Sequence, residues 1–152
     1  MKLALVAAML LCGGIARADD ERYVSKDVIA LEIDHCTSDK NVTKDELLRR
    51  GADYYQRGEV LYLQGDYIGA VQELVESYCE VPFYSILKDI GQAYERQLEY
   101  GQAIAYFSRY VLDIPADAKR SGTCAVDPQE DKQNVLARIQ VLEKLPSCSI
   151  II

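Results

Sequence analysis

Several groups that catalytic or nucleic-acid-binding proteins rely on are scarce in this sequence. It has a single histidine, His35, and no tryptophan. One imidazole cannot serve both as the base of a nucleophile and in a metal cluster, and no Ser-His-Asp or paired-histidine pattern is present. Cations are outnumbered, with 17 lysines and arginines against 24 acids, for a formal net charge of −7. That balance argues against nucleic acid or an anionic membrane surface as a partner, because both recruit basic patches. Its main consequence is solubility. Gly65 and Gly69 lack the lysine of a P-loop and the strand it would follow. Adjacent carboxylates such as Asp45/Glu46 and Glu130/Asp131 stand at expected helix starts, where acids complement the dipole. No enzyme activity, cofactor or metal is expected. Prolines are few as well, and Pro82, Pro115, Pro128 and Pro146 each fall where a helix is expected to begin or end.

No apolar run is long enough to span a bilayer. The longest, residues 3–11, follows Lys2 and precedes Ala16-Arg17-Ala18, a small-x-small cleavage pattern. Residues 1–18 are therefore expected to be a signal peptide cut after Ala18, with Asp19 first in the mature chain. Cys12 suggests a lipoprotein signal instead, but that pattern wants a small residue before the cysteine, and Leu11 stands there. Membrane attachment is expected only if Cys12 is lipidated. Either reading sends the protein out of the cytoplasm, to the periplasm or cell envelope. Losing Lys2 and Arg17 with the leader takes the net charge from −7 to −9.

Residues 19–43 are expected to form an N-terminal arm. Within it, residues 28–33 are apolar enough for a strand or a buried segment, and too short for periodicity to decide. Asp34-His35-Cys36 places three ligand-type side chains in a row. Adjacent side chains point apart and no second pair follows at ligand spacing, so this reads as a loop. Asn41-Val42-Thr43 matches a glycosylation sequon, relevant only in a eukaryotic source. Thr43 with Glu46 reads as a capping box, flanked by Val42 and Leu47 as a hydrophobic staple.

What the sequence does contain is a stretch said twice. Shifted by 33 residues, Gly58 falls on Gly91, Tyr67 on Tyr100, Ala70 on Ala103 and Pro82 on Pro115. Leu61 pairs with Tyr94, Val71 with Ile104, Leu74 with Phe107 and Val81 with Ile114. A period of this size marks stacked supersecondary units. Small residues at Gly58/Gly91 and Ala70/Ala103 let two helices approach, and the prolines stop each unit. Four helices follow, over residues 44–63, 67–80, 84–97 and 100–112, the first pair joined at Gln64-Gly65-Asp66. Most of the eleven tyrosines fall on these helices as packing residues with hydroxyls near the surface.

The pattern resembles the tetratricopeptide repeat, a helix–turn–helix unit of about 34 residues. Tyr54-Gly58-Leu61 and Leu87-Gly91-Tyr94 match its first helix, with a large, a small and then an aromatic-type residue. Tyr67-Ala70-Leu74-Pro82 and Tyr100-Ala103-Phe107-Pro115 match its second. Arg57, Ser77 and Tyr110 depart from it, suggesting looser packing at the domain ends. The resemblance covers residues 51–115, under half the chain. It implies an all-α short solenoid of two repeats within a domain over residues 44–146. After a linker at residues 116–126, Asp127-Pro128-x-Glu130 restarts a helix over residues 128–145. Its stripe of Val135, Leu136, Ile139, Leu142 and Leu145 suits a capping helix. The tail, residues 147–152, ends on three isoleucines with no structural role assigned.

The leader removed, four cysteines remain, Cys36, Cys79, Cys124 and Cys148, an even count in an oxidising compartment. In a helix–turn–helix stack the second helices end at one edge. That placement favours Cys79–Cys124, with Cys36–Cys79 next; Cys124–Cys148 would be strained. The resemblance also implies that the first helices line a concave face. There the first repeat offers Tyr55, Glu59 and Tyr62, and the second Lys88, Gln92 and Glu95, with Tyr55, Tyr62 and Lys88 at the centre. The family's clamp for a terminal carboxylate, built on lysine and asparagine, is not matched. The alternative is that these residues are solvated or covered by the arm. The implied function is a non-catalytic interaction module holding a peptide or protein partner in this groove. An assembly subunit acting through self-association or in a larger envelope complex is the alternative, since two repeats fall short of the three or so of a self-sufficient array.

Overall fold

The computed structural model describes residues 30–37, 41–120 and 126–146. The leader, the sequon's neighbours 38–40, Cys124, Cys148 and the isoleucine tail lie outside the described residues. Among the described residues the fold is all-α, five helices and one short 3-10 turn with no strand, each helix lying against the next. They are α1 (Lys44–Gln64), α2 (Tyr67–Glu80), α3 (Tyr84–Arg96), α4 (Tyr100–Asp113) and α5 (Pro128–Leu142). None is long and apolar enough to cross a membrane.

Local chemistry sets the helix ends. Thr43 Oγ1 accepts from the Glu46 amide at 3.3 Å, one half of the expected capping box. The Glu46 carboxylate does not return the bond; it takes Arg49, whose other arm reaches Asp53. Gly65 follows α1 in the left-handed conformation (φ 84°), its amide donating to Tyr62 O and that of Asp66 to Leu61 O. This is a Schellman closure. The same closure recurs 33 residues later, with the Leu98 amide on Glu95 O and that of Glu99 on Tyr94 O. There the left-handed position is held by Leu98 (φ 63°). Asp66 caps α2 through the Gly69 amide, whereas Glu99, one methylene longer, makes no side-chain cap on α4. Asp127 caps α5 through the amides of Gln129 and Glu130, with Pro128 at its first position. The helix stops at Leu142, a turn short of the expected residue 145.

Close approach of α1 to α2 and of α3 to α4 rests on equivalent pairs. A Cβ on Gly58 would stand 2.8 Å from Leu74 Cγ, and one on Gly91 2.7 Å from the Phe107 ring. The residues that depart from the repeat pattern do not loosen the stack as expected. Ser77 is 2% exposed, its hydroxyl donating to Gly51 O at 2.8 Å. One period on, the Tyr84 ring meets Tyr110, 5.9 Å between centroids. A small polar contact in the first unit is thus matched by an aromatic pair in the second, and both are tight. Arg57 faces solvent over the Tyr54 ring and pairs with Glu73. The core is concentrated around α3 and α4, where Leu87, Ile90, Ala93, Ala103, Tyr106 and Phe107 are buried. By contrast α1 buries only Gly51 and Gly58.

The described part of the arm lies on the core with two of its side chains buried. Leu31, just before a 3-10 turn over Glu32–His35, and Ile33, within it, enter the core. Glu32 accepts hydroxyl bonds from Tyr94 and, at 2.6 Å, from Tyr106. Burial pushes its carboxyl up, but the Tyr106 and Tyr94 hydroxyls outweigh that and hold it below the usual value. The arm ends in a disulfide that corrects the first expectation for the cysteines. Cys79 pairs with Cys36, Cα–Cα 5.0 Å, and not with Cys124. The physical reason is the arm itself: once Leu31 and Ile33 are seated beside α2, Cys36 is delivered to the last turn of that helix.

Candidate functional site

Side chains one repeat apart tie α1 to α3, and α5 closes the row on the other side of α3. The Tyr55 hydroxyl donates to Asp89 at 2.9 Å, and Arg96 Nε donates to the Tyr62 hydroxyl at 3.3 Å. Lys88 pairs with Asp131 at 2.6 Å, and Arg138 pairs with Glu95. Asp131 also accepts from the Tyr110 hydroxyl. Three first-of-pair positions, α1, α3 and α5, therefore line one face. Helical spacing produces this: Lys88, Gln92 and Glu95 share a stripe of α3, and Asp131, Val135 and Arg138 share one of α5.

Between these stripes lies a cleft of about 330 Å³. Its apolar parts come from Tyr62, Phe107 and Val135, and its polar walls from Lys88, Gln92, Glu95 and Arg96 on one side and Asp131, Asn134 and Arg138 on the other. Four of the six expected groove residues, Tyr62, Lys88, Gln92 and Glu95, are thus brought together. Tyr55 and Glu59 do not line the cleft. Tyr55 spends its hydroxyl on Asp89; burial first, then the Asp89 charge, pushes its phenol far above the ordinary value. Burial likewise raises the Asp89 carboxyl, the Tyr55 bond and Lys88 opposing it. This pair is a bridge between α1 and α3, not a free binding surface.

The polar groups left over are the useful ones. Lys88 and Arg138 are neutralised by α5 and α3 carboxylates, whereas Gln92 and Asn134 make no side-chain hydrogen bond among the described residues. Arg96 makes no ion pair there; it lies over the Tyr67 ring, 6.0 Å from its centroid, and against Tyr62. Two free amides and one guanidinium around an aromatic and aliphatic floor can hold a chain segment by its backbone and apolar side chains. The α5 wall escaped sequence reasoning, although its signal was present. The stripe of Val135, Leu136, Ile139, Leu142 and Leu145 suits a cap, and the polar residues flanking it, Asp131, Asn134 and Arg138, face the same cleft. The described arm touches Tyr94, Tyr106, Arg109 and Cys79, none of the six groove residues. Among the described residues no group of three His, Cys, Asp or Glu side chains could hold a metal ion. No protein-family model, curated protein or solved structure matches this chain.

Proposed function

We propose that the chain is a tetratricopeptide-like, non-catalytic interaction module of the cell envelope that holds an extended segment of a partner protein in the α1–α3–α5 cleft. The observation that carries this reading is the cleft itself: an apolar floor of Tyr62, Phe107 and Val135 beneath the unbonded amides of Gln92 and Asn134 and the guanidinium of Arg96, which has no carboxylate partner among the described residues. Aromatic floor residues give contact area at small entropic cost, and amides match the alternating donors and acceptors of a peptide. The disulfide between Cys36 and Cys79 is compatible with an oxidising compartment. The test uses a Gln92→Ala, Asn134→Ala double variant, chosen because both side chains are exposed and make no hydrogen bond or ion pair among the described residues. Its thermal unfolding should match the parent. A partner captured by the parent from envelope extract, then purified, should bind the variant at least tenfold more weakly, about 1.4 kcal/mol. Undiminished affinity places the site elsewhere.

A second reading has its own observation. Helix α1 ends the stack with Leu63 84% exposed and Val60 exposed, while burying only two glycines. An uncovered terminal helix suits self-association or a seat in a larger assembly. Sedimentation over a wide concentration range separates the readings, and a concentration-independent monomer removes self-association.

A further inference from the structure

One cation of the α1–α3–α5 cleft is held in place and left without a counter-charge. Lys88 and Arg138 are each paired across the cleft, with Asp131 and Glu95. Arg96 is not. Its Nε donates to the Tyr62 hydroxyl at 3.3 Å, and its guanidinium lies 6.0 Å from the Tyr67 ring centroid. Tyr62 and Tyr67 in turn meet edge to face, 5.3 Å between centroids. The two rings therefore fix the head group, and neither of its terminal nitrogens makes a hydrogen bond or ion pair among the described residues. The charged lining comes to Lys88, Arg96 and Arg138 against Glu95 and Asp131, an excess of positive charge. That is the reverse of the chain as a whole, whose formal net charge is −7. A guanidinium presents its terminal donors as a fork that matches a carboxylate, and one already set on aromatic rings loses less freedom on binding.

Position along α3 sets the spacing. Gly91 stands over the Phe107 ring of the floor, where a Cβ would come within 2.7 Å of it. Gln92 is the next residue, and Arg96 lies one turn beyond Gln92 on the same cleft, a rise of roughly 6 Å. Alternate side chains of an extended segment are separated by roughly 6–7 Å. A segment laid along α3, with an apolar side chain on the floor beside Gln92, thus brings the side chain two residues away to Arg96. The amides of Gln92 and Asn134 match a backbone that continues, so the acid belongs to a side chain and not to a chain end.

We infer, resting on the function proposed above, that the cleft selects segments in which an aspartate or glutamate stands two residues from an apolar side chain, with Arg96 reading the acid. The experiment selects a random heptapeptide library, displayed on phage with each peptide's C-terminus fused to the coat protein, against the full chain. Clones that bind the parent and are lost on the Gln92→Ala, Asn134→Ala variant should share an acid two residues from a Leu, Ile, Val or Phe. The leading sequence, made as a C-terminally amidated peptide, should bind the parent at least about fivefold more tightly than the same peptide with glutamine in place of the acid. Arg96→Gln should bind both peptides equally. Arg96→Glu should prefer a version with lysine in place of the acid, a reversal that a merely structural role for Arg96 does not produce. Arg96 is exposed, so both variants are expected to keep the parent's Tm. Cleft-dependent clones without a shared acid, or a preference for the acid that survives Arg96→Gln, overturn the inference and leave the proposed function standing. No cleft-dependent clone at all overturns both.

Discussion

Leu98 occupies a backbone conformation that its side chain opposes. At φ 63° the Cβ crowds the neighbouring carbonyl, which costs an L-residue about 1–2 kcal/mol. The equivalent position one repeat earlier is Gly65, which has no Cβ to crowd. Leu98 remains there because Glu99 and Leu98 amides close the end of α3 on Tyr94 and Glu95, and nothing in its side chain is buried deeply enough to offset the strain. Leu98→Gly should therefore stabilise the protein by about 0.5–1 kcal/mol, the relief of strain exceeding the extra entropy of an unfolded glycine. Urea unfolding with an unchanged slope and a raised midpoint is the expected result.

At the scale of elements, the two helical hairpins depend on one device used twice. Gly58 admits Leu74 and Gly91 admits Phe107, so that the helix backbones approach closely. An alanine at either position gains about 1 kcal/mol of helix propensity, against an overpacking cost of about 1–3 kcal/mol. The neighbour decides the balance. Both neighbours are buried, but Leu74 can turn its branch point about χ1, whereas the rigid Phe107 ring meets the new Cβ with two atoms at 2.7 Å. Gly91→Ala is expected to lose about 1–2 kcal/mol and Gly58→Ala less, as measured by thermal unfolding of the two variants side by side. A loss of equal size in both would mean that ring and side chain yield alike.

For the molecule as a whole, the arm and its disulfide add a second tie between helix pairs that α2 and α3 already join. Glu32 bonds to Tyr94 on α3 and Tyr106 on α4, Leu31 and Ile33 enter the common core, and Cys36 fastens to α2. The bridge closes a loop of 43 residues that contains all of α1. Removing that constraint releases denatured-state entropy, so Cys36→Ser should cost about 2–4 kcal/mol. Because the core around α3 and α4 does not include Cys36, the variant is expected to stay folded with a lowered Tm. Reduction of the parent protein should reproduce the shift, and a Tm insensitive to reductant would remove the bridge from the stability of the fold.

Periodicity and turn chemistry are local properties, and they were legible. The 33-residue shift, Gly65 at a left-handed turn, Asp127 with Pro128 at a helix start and the apolar stripes of α3 and α4 define five helices and their order. Their ends fell within a residue or two for α1 to α4 and a turn off for α5. Groups whose partners lie far away in sequence were not legible. Nothing local distinguishes Cys124 from Cys36 as the partner of Cys79, because the choice depends on Leu31 and Ile33 finding a seat between helices 40 to 80 residues away. Nor does local pattern reveal that Tyr55 is spent on Asp89 while Tyr62 stays on the cleft, or that α5 brings Asp131 and Arg138 to Lys88 and Glu95. Those pairings are decided by tertiary contact, since a hydrogen bond or ion pair between helices exists only once the helices are stacked.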